Sequence, residues 1–258
     1  MTQPPSADRS DFWRDIDWQQ PWLAPYRDDG EPLCDALAQG TDLPRALSRL
    51  AAAREVELAA GPLRFVPSGE QPDGEAYEAF IHRSACVPTR DNLHDLFNAL
   101  VWLRFAPLKR HLNDLQAEQI RQGGVGPTRG AVRDALTVFD ENAALLQAPP
   151  ALQHALLERD WHALFVTHRD KWAQARLTLF GHALLEKLLR PRKPITAHVC
   201  LLPPSTDAAM HLAGTMTPGW LASKPFLPLP VLGVPGWCPD NETTGFYDDP
   251  EVFRPARR

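Results

Sequence analysis

Proline is the residue that most limits how this chain can fold. The 258 residues include 26 prolines, about twice the usual share, and they follow no regular period. Because proline fixes φ and lacks a backbone N–H, it interrupts helices and strands. We therefore expect regular elements of moderate length joined by extended connections, and coiled-coil and collagen folds are excluded.

The apolar content is nevertheless that of a folded protein. Hydrophobic residues make up 44% of the chain, with eight Trp and eleven Phe, which excludes disorder as the main state. We predict a single α+β domain, mostly α-helical, with a few short strands and a Pro-rich irregular C-terminal tail at residues 203–258. Residues 1–32 hold three tryptophans, and we expect them to form an arm docked on the globular domain of residues 33–258.

Charge is unevenly distributed along the chain. Residues 1–81 carry seven arginines against fifteen acidic residues, whereas residues 82–133 and 154–198 each carry eight basic and four acidic residues. The basic segments could face an anionic partner, although a solvated surface of paired charges is the commoner explanation. No region is basic enough to predict tight, sequence-independent binding of nucleic acid.

The cysteines and the N-terminus indicate a reducing compartment. Cys34, Cys86, Cys200 and Cys238 are isolated, so a thiolate zinc site is not expected. The first fifteen residues lack the apolar run of a signal peptide, and no stretch approaches the roughly twenty apolar residues of a membrane helix. We expect a cytoplasmic protein with no membrane association.

Apolar spacing and turn residues predict the main elements. Predicted helices cover residues 42–59, 107–122 and 129–146, two or three more lie within 151–190, and predicted strands cover 63–66 and 195–202. The sequence Gly123–Pro127 is a break between helices. For Tyr77–Val87 a strand is favoured because aromatic and β-branched residues are mixed there, with a helix as the alternative.

Polar functional side chains are concentrated between His82 and Asp114. These 33 residues contain three histidines and several Asp and Asn side chains, a set suited to metal ligation or acid–base catalysis. Residues 92–105 allow two interpretations. As a helix, they bury a leucine-rich stripe and place four polar side chains on the opposite face, where a hydrated surface is the commoner outcome. Those side chains are Asp91, His94, Asp95 and Asn98.

As a strand, loop, strand and helix, the same segment resembles the ββα-metal finger of HNH nucleases. The strands would be Ala79–Cys86 and Ala99–Phe105, and the helix would begin at Pro107. The resemblance implies a histidine that activates water and a divalent metal on the scissile phosphate. The segment departs from that family in having His-Arg instead of paired histidines and in the helical character of NLHDLF.

The HNH-like interpretation assigns a role to each polar residue of the segment. The predicted catalytic residues are His82, His94 and Asn98, and the predicted metal ligands are Asp91, His111 and Asn113. The predicted phosphate-binding residues are Arg90, Arg104, Lys109 and Arg110. Folding could add Arg133, Asp140, Glu141, His182 and His198 to this centre. The protein would then be a metal-dependent phosphodiesterase or nuclease, with nucleic acid or another phosphate-bearing ligand as its partner.

A second hypothesis is a non-catalytic binding or scaffold protein. In that case the same polar residues form a buried hydrogen-bond network, and truncating Asn98 or Asp95 destabilises the fold. The sequence has no G-x-S-x-G, Walker or G-x-G-x-x-G motif, so serine hydrolases, NTPases and dinucleotide enzymes lose their usual support. The sequence does not choose between an enzyme and a scaffold, nor does it indicate an oligomeric state.

Four longer motifs are similar to those of an uncharacterised bacterial family. They are PTRDNLHDLFNALVWLRFAPLKRHLN, RDALTVFDEN, FGHALLEKLLRPRKPITAH and LPLPVLGVPGWCPDNETTGFYDDPEVFRP. Because these motifs span most of the chain, the sequence is identified as a member of domain of unknown function 3025. This resemblance implies a bacterial origin and no particular activity.

Overall fold

The fold combines many helices with a few short strands, and the computed structural model describes it over residues 11–124, 130–204 and 206–256. The helices are α1 (Arg27–Ala38), α2 (Leu43–Ala53), α3 (Tyr77–Ser84), α4 (Leu93–Arg104), α5 (Ala106–Gly123), α6 (Ala131–Asn142), α7 (Pro150–Glu158), α8 (His182–Lys187), α9 (Ala208–Thr215) and α10 (Pro218–Ala222). The strands are β1 (Glu57–Leu58), β2 (Gly61–Pro62), β3 (Arg64–Pro67), β4 (Cys86–Thr89), β5 (Ala143–Gln147), β6 (Arg176–Leu179), β7 (Thr196–Leu201) and β8 (Leu227–Pro230). The predicted α+β class, mostly helical, is confirmed, and the C-terminal tail contains α9, α10 and β8 besides its irregular stretches.

A four-stranded sheet in the order β6-β5-β7-β8 forms the largest sheet of the described chain. Strand β5 runs parallel to β7, with Ala144 opposite Val199, and antiparallel to β6, with Ala144 opposite Leu179. The first four residues of β5 are all buried, as expected for a strand covered on both faces. Strands β1 and β2 pair antiparallel, and β3 and β4 pair parallel, apart from this sheet.

Helix α4 is buried along most of its length. Asn92 Oδ1 accepts a hydrogen bond from the backbone N–H of Asp95 at 2.8 Å, which caps the helix. Every residue from Asp95 to Leu103 is buried because α4 packs against α2, α5 and α8. A helix that is apolar on nearly all sides belongs in a core. The helical interpretation of residues 92–105 is therefore confirmed, and the predicted strand Ala99–Phe105 is wrong.

The strand favoured over Tyr77–Val87 is also wrong, and with it the HNH-like first strand Ala79–Cys86. Helix α3 occupies Tyr77–Ser84, because Tyr77, Phe80 and Ile81 recur at helical spacing; Ile81 and Tyr77 pack on the main core, and Phe80 packs in a small cluster with Val66 and Cys86. Burial of that face outweighs the β propensity of its residues. Ala85 ends the helix in the left-handed conformation, with φ 54°, and the chain is extended only from Cys86 onward. The ββα order does not occur in this segment.

Several other predicted boundaries move, while the elements themselves are confirmed. Helices α2 and α5 and strands β3 and β7 lie where the sequence predicts them, although α2 ends at Ala53. The predicted helix over residues 129–146 ends at Asn142, where the chain enters β5. The run LTLFGHALLEKLL is divided between β6 and α8. The predicted break at Gly123–Pro127 begins where α5 ends, and residues 125–127 lie outside the described part.

Both ends of the described chain pack onto the core. Trp18 and Trp22 are buried, and α1 begins at Arg27, within the segment predicted as an N-terminal arm. Residues 1–10 of that arm lie outside the described part. In the C-terminal tail, the Tyr247 ring stacks on Phe165 with centroids 5.2 Å apart. Among the described helices, none has the length and hydrophobicity needed to span a membrane.

Candidate functional site

A polar cleft of about 400 Å³ opens where α3, α4, α5, α6 and α8 meet. It is lined by Ser68, Gln71, Tyr77, Glu78, Pro88, Arg90, His94, Asp95, Asn98, Gln116, Thr137, Asp140, Glu141 and His182. Nearly all of these side chains are polar or charged. Concave sites of this kind, with converging ionisable groups, are where ligand binding and catalysis are expected.

Helical spacing and one glycine bring the reactive groups of the cleft together. His94 and Asn98 lie four residues apart and therefore share a face of α4. At the start of α8, a Cβ on Gly181 would lie 2.4 Å from the carbonyl oxygen of Glu141, so only glycine fits against the end of α6. That close approach places His182 beside Asp140.

The centre of the cleft is a pair of histidines held between two carboxylates. The Nε2 atoms of His94 and His182 are 3.1 Å apart. On its other side, His94 Nδ1 lies 3.0 Å from Glu186 Oε2, whereas His182 Nδ1 lies 3.7 Å from Asp140 Oδ2. The four groups lie in a row from Glu186 at the surface to Asp140 in the cleft, with hydrogen-bond distances between the first three groups and an ion-pair distance at the last step.

Hydrogen-bond chemistry fixes where the protons of this row lie. The Glu186 carboxylate only accepts, so His94 Nδ1 carries the hydrogen that it receives. A neutral His94 then accepts from His182 at Nε2, which leaves His182 Nδ1 without its hydrogen and without a partner among the described residues. An added proton on His182 Nδ1 would face Asp140 Oδ2 at 3.7 Å, which is an ion-pair distance and not a hydrogen bond.

Burial keeps that proton off His182. Loss of solvation, assisted by the nearby Lys109 and His94 charges, outweighs the opposing effect of Asp140 and lowers the pKa of His182 from 6.5 to about 4. The side chain of His94 is 39% exposed and is flanked by the equally exposed Glu186.

A buried ammonium group supports the inner end of the row. Lys109 Nζ donates to Asp140 Oδ1 at 2.6 Å and to Asn98 Oδ1 at 2.9 Å, and it lies 5.1 Å from the centre of the Trp102 ring. Asn98 in turn donates to the Tyr77 hydroxyl at 3.0 Å. Because every one of these groups has a partner, the network holds Asp140 in one orientation.

The same network sets the ionisation of Asp140 and Tyr77. Burial alone would raise the pKa of Asp140, but the Lys109 ammonium, together with His182 and His94, holds it below its ordinary value. Burial strongly raises the pKa of Tyr77, and the Asp95 and Asp140 charges raise it further, so the phenol stays protonated. Asp140 therefore presents a carboxylate to the cleft, and Tyr77 presents a neutral hydroxyl.

Arg90 and Asp95 form the rim of the cleft. The Asp95 carboxylate accepts from the backbone N–H of Arg90 at 2.7 Å and from two guanidinium nitrogens at 3.0 Å each. This bidentate geometry favours a specific, ordered ion pair. The pair ties the end of β4 to the first turn of α4 and fixes the position of His94, its neighbour in sequence.

The structure separates the other predicted catalytic and phosphate-binding residues from the cleft. His82 Nε2 lies 3.6 Å from Asp114 Oδ1 on the surface. Arg104 lines a separate open groove of about 1290 Å³ beside Trp237, and Arg110 lines a different pocket beside Arg54. Of the predicted basic set, only Arg90 and Lys109 reach the site, and both are engaged by carboxylates.

The three predicted metal ligands also point to different partners. Asp91 is exposed, His111 Nε2 lies 2.7 Å from the Met216 carbonyl oxygen, and Asn113 donates to the Glu78 carbonyl oxygen at 2.8 Å. Across the described ranges, no group of three or more His, Cys, Asp or Glu side chains is arranged to hold a metal ion.

Folding adds Asp140, Glu141 and His182 to His94, as the sequence suggested. Arg133 does not line the cleft, and His198 lies in β7. Sequence reasoning missed Tyr77, Gln116 and Glu186. A signal existed for Glu186 alone, since it follows His182 by four residues in FGHALLEK and so shares its helix face.

Comparison with known proteins gives one match. The model of the family described as Protein of unknown function (DUF3025) matches residues 63–257. No curated protein and no solved structure is similar enough to count as a match. The matched region contains every residue that lines the cleft. The chain therefore belongs to the family of proteins of unknown function DUF3025.

Proposed function

We propose that this protein is an enzyme that removes a proton from a small polar substrate, or from a water molecule attacking it, in the cleft. The observation that carries the proposal is the Glu186–His94–His182–Asp140 row, with its 3.1 Å contact between imidazoles and its open end in a cavity. Such a row moves a proton between a reaction site and the surface.

Asp140 Oδ2 is the group that touches the substrate. It takes the proton from the substrate and passes it to the free Nδ1 of His182. His182 gives up its Nε2 hydrogen to His94, which becomes an imidazolium beside Glu186. Lys109 keeps the Asp140 carboxylate ionised between turnovers, and Tyr77 donates its hydroxyl hydrogen to charge developing on the substrate.

The test is turnover in deuterated water. Wild-type protein is incubated with separate pools of amines, amino acids, sugars, nucleosides and carboxylic acids, and each pool is followed by mass spectrometry. We expect conversion or deuteration of a pool member, slowed at least tenfold by Glu186→Gln, because general acid–base groups contribute on the order of 10²–10⁴-fold. Glu158→Gln, an exposed acid outside the cleft, is the matched control. Pools unchanged by the wild type would contradict the proposal.

The metal-dependent nuclease stays a separate prediction, and the same assay tests it with phosphodiester substrates. Its support was the ββα order, which the structure replaces by two helices. DNA and bis(p-nitrophenyl) phosphate are added with Mg²⁺ or with EDTA. Cleavage that needs Mg²⁺ and persists in Glu186→Gln would favour the nuclease over the proton-transfer enzyme.

A scaffold role is the second candidate, and one observation favours it. Asp95 and Asn98 are both buried, and their side chains form hydrogen bonds with Arg90, Tyr77 and Lys109, as expected in a structural network. Unchanged pools together with uncleaved phosphodiesters would leave this role as the explanation of the cluster. The cytoplasmic location, and the arm at residues 1–32 as a unit apart from the domain, stay predictions.

A further inference from the structure

The cleft carries more negative than positive charge. Four carboxylates line it, those of Glu78, Asp95, Asp140 and Glu141, against the single guanidinium of Arg90. When the ammonium group of Lys109, which contacts Asp140, is also counted, the cleft still has an excess of two negative charges. This balance does not suit the phosphate-bearing ligand that the basic segments of the sequence suggested.

Two of the carboxylates are already neutralised, and two are not. Asp95 pairs with Arg90, and Asp140 pairs with Lys109. Glu78 and Glu141 have no ion pair with any described residue, although both line the cavity and are only partly exposed. Charges in a partly enclosed site attract a counter-ion more strongly than charges on an open surface, because less water screens them.

A buried amide in the same cavity independently indicates a ligand. Gln116 is only 7% exposed, yet its side chain makes no hydrogen bond to any described residue, and it lines the cavity. The amide is not among the fully enclosed unpartnered atoms of the described residues, so it faces the open cavity, where its donor and acceptor are available to a bound molecule. Gln116 also lines a smaller neighbouring cavity with Tyr77, Glu78 and Asp140, so these four side chains lie between the two cavities.

We propose that the cleft binds a small organic cation, a primary amine or a guanidinium compound. The cationic group is held by Glu78 and Glu141, and it donates an N–H to the amide oxygen of Gln116. A volume of about 400 Å³ suits a small molecule and excludes a folded partner. This inference rests on the proposed function in one respect: the bound cation is the substrate whose proton Asp140 removes.

Binding is tested directly with three probes, agmatine, putrescine and benzylamine, by isothermal titration calorimetry and by thermal shift. Inorganic phosphate and glutarate are the anionic comparisons. We expect at least one amine to bind and raise Tm, and neither anion to do so. Glu141→Gln and Glu78→Gln should each weaken amine binding at least tenfold, and Gln116→Leu should weaken it severalfold. Glu158→Gln should leave the affinity unchanged.

The outcomes separate this inference from the proposed function. Three outcomes would overturn the cation assignment. The protein binds phosphate or glutarate in place of the amines, it binds none of the three amines, or its amine affinity is unaltered in Glu141→Gln and Glu78→Gln. Amine binding that needs Glu141, in a protein that changes no pool in deuterated water, supports the cation site and contradicts the enzyme. Turnover of an uncharged sugar that needs Glu186 supports the enzyme and contradicts the cation as its substrate.

Discussion

At the scale of single residues, neighbours decide what an ionisable group does. His182 is neutral because burial lowers its pKa to about 4, whereas an unfolded chain would protonate it near pH 6.5. Between these values the unfolded state binds more protons, so the free energy of unfolding falls as the pH falls from about 6.5 toward 4. We expect this residue to account for a loss of about 2 kcal/mol between pH 7.5 and 4.5, measured by urea denaturation.

The matched variants isolate this contribution. His182→Gln should flatten that part of the pH dependence, while His154→Gln, which changes an exposed histidine, should leave it unchanged. An identical pH profile in the wild type and in His182→Gln would show that His182 is not held neutral in the fold. Asp140, whose pKa is lowered, adds stability that is lost only at lower pH, below its ordinary value of 3.8.

At the scale of elements, the contact between α6 and α8 assembles the site. In a Gly181→Ala protein, the three nearest atoms to the new Cβ would be backbone atoms of Glu141 and Asn142, at 2.4–2.5 Å. Backbone cannot rotate away as a side chain can, so α8 must move and carry His182 away from Asp140. We expect a loss of about 1–3 kcal/mol in urea denaturation, together with a changed His182 ring signal in NMR spectra.

A second glycine provides the control. Gly214 lies within α9, and a Cβ there would meet no atom within 4 Å. Gly214→Ala should therefore be neutral or stabilising by about 0.5–1 kcal/mol, since alanine favours helix. Equal effects of the two substitutions would show that the α6–α8 contact is not as close as described.

At the scale of the whole molecule, the proline-rich tail is part of the core. Asn241 is 1% exposed and donates to the carbonyl oxygens of Leu232 and Val234 at 2.7 and 2.8 Å, while Arg169 donates to its side chain and its backbone. Asn241→Ala leaves buried carbonyl groups unpaired, so we expect a loss of about 1–3 kcal/mol, with faster proteolysis of the tail.

Glu242, the residue after Asn241, provides the comparison for Asn241→Ala. Glu242 also binds Arg169, at 2.6 Å, but its side chain is 63% exposed. Glu242→Ala should cost less than about 1 kcal/mol, as exposed ion pairs do. A tail that is cleaved equally fast in both variants would argue against Asn241 as its anchor.

The sequence predicted local features more reliably than long-range ones. The starts of helices α2 and α5 and strand β7 follow from side-chain types and spacing within one turn or strand. Helix α3 was predicted only as the alternative, because its aromatic and β-branched residues favour a strand locally and only burial against neighbouring elements selects the helix. Likewise, the end of α6 depends on β6 and β7, which lie far along the chain and pair with β5.

The candidate site was predicted in part for the same reason. His94 and Asn98 were identified because they stand close together in one polar segment, and Asp140, Glu141 and His182 were suggested as additions. The predicted metal site is not formed, because Asp91, His111 and Asn113 were grouped by nearness in sequence. Asp91 is exposed before α4, and the positions of His111 and Asn113 on α5 direct them to the Met216 and Glu78 carbonyl oxygens.

The sequence by itself determined the class of fold, the family and the polarity of the segment around His94, because these depend on residue types and on spacing of a few residues. Only the tertiary structure decided which charges meet. The Lys109–Asp140 and His94–His182 contacts join residues 31 and 88 positions apart, and their geometry depends on helices packing in three dimensions. The cleft and its excess negative charge arise from that packing, because charge within a cavity depends on which side chains converge there.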